Sequence, residues 1–102
     1  MTRNPKNHSE PIKFITDHNL GKLAKWLRLI GYDTICHAGK TDRALWKRAR
    51  QDARVLVTRR KDFQFYPAEV RTVVLEEEKV DGQISELLDK LEIEPEKEKF
   101  FR

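Results

Sequence analysis

Three aspartates stand where short apolar runs give way to polar chain: Asp17 directly after residues 12–16, Asp42 at the opening of a helical stretch, and Asp62 just beyond residues 54–57. Hard divalent cations take oxygen ligands, and magnesium sites commonly combine one or two carboxylates with water and substrate phosphate. A cation held in this way activates water and offsets the charge that develops on a phosphodiester. Each aspartate also has a plain structural role available. Asp17 and Asp42 can each cap a helix N-terminus, worth roughly 1 kcal/mol, and Asp62 can be an ordinary loop residue. Their convergence on one point is not written in the sequence.

Several companions fit the same chemistry. Asn19 can orient a carboxylate or touch phosphate, or satisfy the first turn of the helix that follows it. Arg59, after Thr58, offers a planar fork to phosphate oxygen. Lys22, Lys25 and Arg28 form a basic helix face that can track RNA or simply keep the helix in solvent. Trp26 and Trp46 can stack on bases, although on amphipathic helices tryptophan more often packs. Other patterns fall away. Gly39-Lys40-Thr41 resembles the tail of a phosphate-binding P-loop, but the required glycine is replaced by Thr34. His18, Cys36 and His37 do not have zinc spacing, and Asp33 fits a turn.

These residues need elements to carry them. Residues 12–16, 34–36, 54–57 and 71–75 read as short β runs. Leu20, Leu23, Ala24, Leu27 and Ile30 recur at helical spacing, with Gly31 as a C-terminal cap. A second helix, capped by Thr41 or Asp42, runs to about Gln51 and is expected to turn Ala44, Leu45 and Ala49 inward. A third, capped by Asp81, is expected to bury Ile84, Leu87, Leu88 and Leu91. Residues 1–11 read as a disordered lead, residues 12–93 as the domain, and residues 94–102 as a charged tail. Strands alternating with helices of about ten residues indicate an α/β fold with a mainly parallel sheet. Ligands bind such sheets at the carboxyl ends of the strands.

The composition is compatible with this reading. The chain has 102 residues, 38% of them apolar and 37% charged, which suits one domain with a modest core. A single cysteine, Cys36, excludes an internal disulfide and a complete cysteine zinc site, and a reducing, cytoplasmic setting is expected. No apolar run approaches the ~18 residues that span a bilayer. Residues 1–61 carry 15 Lys/Arg against 5 Asp/Glu, whereas residues 62–102 carry 6 against 12. The basic half suits a phosphate-backbone partner.

Three stretches together resemble the PIN-like Mut-seven C-terminal RNase domains: residues 14–33 (FITDHNLGKLAKWLRLIGYD), 41–45 (TDRAL) and 54–59 (RVLVTR), with matching separations. The similarity spans about residues 12–93. It implies a three-layer α/β/α fold, acidic residues at the strand ends, a magnesium or manganese ion and cleavage of RNA. Asp17 matches the first family aspartate and Asp42 the one that opens the second helix. After Thr58-Arg59 the family usually has one aspartate and commonly a second two residues on. Here the first is Arg60 and only Asp62 matches the second. A guanidinium in place of a carboxylate removes a ligand and sets a like charge beside a cation. Many relatives also carry a cysteine zinc ribbon after a Phe-x-Arg segment, a feature absent from these 102 residues.

The resemblance thus implies a metal-dependent endoribonuclease with Asp17, Asp42 and Asp62 as catalytic and metal residues. RNA would lie on Asn19, Lys22, Lys25, Arg28, Arg59 and Arg60. Two alternatives stand beside it: a weakened module that binds RNA or a ribosomal partner, and a toxin-like nuclease held by a protein partner.

Overall fold

The computed structural model describes residues 11–92; the expectations for residues 1–10 and for the tail from residue 93 onward lie outside the described residues. Four parallel strands form the sheet: β1 (Lys13–Thr16), β2 (Asp33–Cys36), β3 (Val55–Thr58) and β4 (Thr72–Val74), in the order β2-β1-β3-β4. The helices are α1 (Gly21–Ile30), α2 (Arg43–Gln51) and α3 (Val80–Leu91). Two 3-10 segments, His18–Leu20 and Lys61–Phe65, complete the elements of the described residues. Among the described residues no helix is long and apolar enough to cross a membrane.

Alternation along the strands separates two cores. Phe14 of β1 and Val57 of β3 face one way, into a cluster with Leu20, Leu23, Leu27, Leu87 and Leu91 of the α1 and α3 layer. Their neighbours Ile15 and Leu56 face the other way, onto Leu45, Trp46 and Ala49 of α2 and onto Phe63 and Val70. Because both faces are covered, the central strands are apolar without a polar side, as expected for a buried parallel sheet. The result is the expected three-layer α/β/α arrangement. α1 ends where Gly31 adopts φ 122°, its N–H bonded to the carbonyls of Leu27 and Arg28, a conformation disfavoured for residues with a Cβ.

The structure corrects several local expectations. Ala44 is exposed, and Trp46 joins Leu45 and Ala49 in the core instead. Capping the third helix falls to Lys79 and not Asp81, which lies in its first turn, where a negative charge is favourable. Leu88 and Ile84 are only partly buried, while Gln83 is buried and its Nε2 donates to Glu77 O at 3.1 Å. The segment after β3 is not plain loop but carries the 3-10 turn Lys61–Phe65.

Glu86 ties α3 to the segment after β4. Its carboxylate accepts the backbone N–H groups of Glu76 and Glu77 at 3.0 Å and pairs with Lys90 at 2.8 Å. Burial pushes this carboxyl upward, but Lys90 and the two N–H groups outweigh burial and hold it below its ordinary 4.5. A carboxyl depressed in the folded state stabilises fully above its unfolded value and loses that contribution as pH falls through the folded one. Glu86→Gln is therefore expected to lower the thermal midpoint at pH 7 and to flatten its decline below about pH 4.5 relative to wild type. Parallel acid melts of the two proteins would refute this role for Glu86.

Candidate active site

The chain runs from β1 outward to β2, then crosses back beyond β1 to β3. A crevice opens at such a reversal, at the carboxyl ends of the strands, and here those ends belong to β1 and β3. Asp17 directly follows β1 and is 2% exposed. Its Oδ1 accepts the N–H of Asn19 at 2.9 Å, which starts the first 3-10 turn. Its Oδ2 accepts the hydroxyl of Thr58 at 2.6 Å from the end of β3. The carboxylate is thus fixed from both central strands. Among the described residues no Lys, Arg or His forms an ion pair with it.

Thr58 Oγ1 also accepts the N–H of Arg60 at 3.1 Å. Thr58→Val keeps the shape and removes both bonds at a fully buried position. Hydrogen bonds to charged groups contribute about 1.5–3 kcal/mol, so a loss of that order is expected. Urea unfolding should show it as a lower midpoint with an unchanged slope; an unchanged midpoint would mean that Thr58 does not support Asp17.

Asp42 lies at the same edge, before α2. It is exposed, and its Oδ1 accepts the N–H of Ala44 at 2.9 Å, so it caps the helix, while Oδ2 accepts no hydrogen bond among the described residues. Asp62 shares the edge but is engaged. Arg60 Nε and Nη2 reach its two oxygens at 3.1 and 2.8 Å, and Arg60 Nη1 donates to the carbonyl of Thr41, the residue before Asp42. Arg60 therefore joins the β3 end to the start of α2.

The expected phosphate contacts separate. Asn19, in the 3-10 turn that Asp17 starts, and Lys22, in the first turn of α1, are exposed, and Lys25 follows a turn later. Arg28 donates to Thr34 O at 3.0 Å and Arg59 to Glu76 O at 3.3 Å, so both lie against backbone. Trp46 packs in the core, whereas Trp26 is 46% exposed. His37, bonded through its N–H to Thr16 O at 2.8 Å, follows β2 beside Asp17. His37 Nε2 and Thr41 Oγ1 are buried without a hydrogen-bond partner among the described residues. Nothing in the local pattern around His37 marks it; only the strand register brings it to this edge.

The donor set fits a cation held by one or two carboxylates and completed by water and substrate. It does not form a cage of three: among the described residues no three His, Cys, Asp or Glu side chains make a group that can hold a metal. Compared with protein-family models, the chain matches the Mut7-C RNAse domain over residues 12–102. No curated protein and no solved structure matches it.

Proposed function

The chain belongs to the Mut7-C RNAse domain family, and on that premise we propose that it hydrolyses RNA phosphodiester bonds with a divalent cation held by Asp17 and Asp42. The observation that carries this reading is the Asp17 carboxylate itself. It is buried, oriented by two hydrogen bonds, and without a cationic partner among the described residues. A buried charge is costly unless it is paired or binds metal. Each carboxylate oxygen has about two acceptor positions, so among the described residues both oxygens of Asp17 keep one. Magnesium or manganese would supply Lewis acidity and a water of lowered pKa.

The protein's own groups do the positioning. Thr58 and the Asn19 N–H hold Asp17 in one orientation, and the N-terminal turn of α2 fixes Asp42. Lys22 and Lys25 extend positive charge from the site along α1 and attract the RNA backbone. The test is end-labelled single-stranded RNA incubated with manganese, with magnesium and with chelator. Cleavage is expected with either metal and none with chelator; cleavage that persists in chelator excludes the metal role.

One observation favours a second reading, a module that binds RNA with little cutting: Arg60 occupies both oxygens of Asp62. It predicts RNA retained in a gel shift without cleavage, and activity gained in Arg60→Asp.

A further inference from the structure

We propose that Arg60 is a phosphate-binding residue of this site and that Asp62 is its positioning residue, not a third metal ligand. The inference rests on the RNA reading above and goes beyond it, because it assigns opposite roles to two residues that the family pattern treats as equivalent carboxylate positions.

Arg60 is held by three residues. Its Nε and Nη2 form a bidentate pair with Asp62, Nη1 donates to Thr41 O, and the Phe63 ring lies 5.6 Å from the guanidinium carbon. Its backbone N–H is fixed by Thr58, whose hydroxyl orients Asp17. A guanidinium has five N–H donors. Three are committed among the described residues, which leaves two on a side chain that is 51% exposed. They lie at the strand-end edge shared by Asp17 and Asp42.

A half-exposed ion pair adds little to stability, and fixing so long a side chain opposes it. Stability therefore does not account for the arrangement. A pre-oriented planar fork beside a carboxylate that can hold metal does have a use: it matches the anionic oxygens of a phosphodiester. Because Arg60 already pairs its charge, Asp62, unlike Asp17, has no strong reason to seek a cation, which accords with the lack of a three-carboxylate group among the described residues.

Three measurements on the full chain test this, with circular dichroism to confirm that each variant folds. The first is the affinity of a labelled single-stranded RNA in chelator as a function of salt. Arg60→Ala should weaken binding about tenfold, as for loss of a charged hydrogen bond, and lower the salt slope by about 0.7, the loss of one phosphate contact on a single strand. Arg60→Lys should keep the slope but recover only part of the affinity. An unchanged affinity and slope in Arg60→Ala makes Arg60 merely structural and overturns the proposal.

The second is manganese affinity without RNA. Asp62→Ala should match wild type while Asp17→Asn loses binding. If Asp62→Ala loses as much as Asp17→Asn, Asp62 is a ligand and the proposal fails. The third is the Arg60 Nε–H resonance, identified by its loss in Arg60→Ala. It should be slowly exchanging in wild type and fast in Asp62→Ala; no change between the two removes the positioning role. Because the RNA arm runs in chelator, it decides on Arg60 even for a protein that cuts nothing, so failure of the nuclease reading remains distinguishable.

Discussion

Asp17→Asn is expected to abolish metal-dependent cleavage of RNA while leaving the fold in place. Partners that only orient a ligand typically cost 10–100-fold in activity or metal affinity when removed. Removing the negative charge of the ligand itself should exceed that, so a loss beyond about 100-fold is expected. The fold should survive because the amide can keep both bonds. Its oxygen accepts the Asn19 N–H as Oδ1 does now, and its NH2 can donate to Thr58 Oγ1 once that hydroxyl turns its proton away. Replacing a buried carboxylate by a neutral group also relieves desolvation, so the thermal midpoint should not fall by more than a few degrees. Single-turnover rates in manganese, read with the melting curve, separate the outcomes. A variant that cuts at the wild-type rate would remove Asp17 from the metal site. One that neither cuts nor folds would show Asp17 to be structural, and its manganese affinity would then say nothing about catalysis.

The double character of Asp17 explains how much of the site could be read before the fold. Its position after an apolar run marked it, yet the same position also suits a helix cap. In the structure Oδ1 starts the 3-10 turn while Oδ2 accepts the Thr58 hydroxyl from the neighbouring strand. Asp42 likewise caps α2 and leaves one oxygen without a hydrogen bond among the described residues. The strands were legible because Phe14 and Val57 alternate with Ile15 and Leu56 between two cores, a local pattern. The inner face of α2 was less legible. With only nine residues and several arginines, helical spacing did not separate Ala44 from Trp46. The pairing of Arg60 with Asp62 and Thr41 was out of reach for a different reason: Thr41 lies 19 positions away and meets Arg60 through the packing of α2 on β3. The same holds for His37, which reaches the Asp17 edge through the β1–β2 register alone.

Phe63 and Phe65 carry the sharpest test of the 3-10 turn Lys61–Phe65. They are two residues apart and chemically identical, so composition predicts equal effects. In a 3-10 turn, with three residues per turn, residues two apart point in different directions while residues three apart align. Phe63 accordingly stacks on Tyr66 at 4.6 Å and 7° between planes, and sits 1% exposed against the α2 core with Leu45, Trp46 and Val70. Phe65 is 82% exposed. Phe63→Ala is therefore expected to cost about 3–5 kcal/mol, a large share of the roughly 5–15 kcal/mol that holds a domain of this size. Phe65→Ala should stay within about 0.5 kcal/mol of wild type. Urea midpoints decide between them, and equal shifts would mean that the turn is not seated as described. The consequence reaches the active site. Phe63 lies under the guanidinium of Arg60 and follows Asp62 directly, so the ring that anchors this turn to the core also sets where that charge stands. At urea concentrations where Phe63→Ala is still folded, its RNA affinity should fall toward that of Arg60→Ala, whereas Phe65→Ala should bind as wild type does.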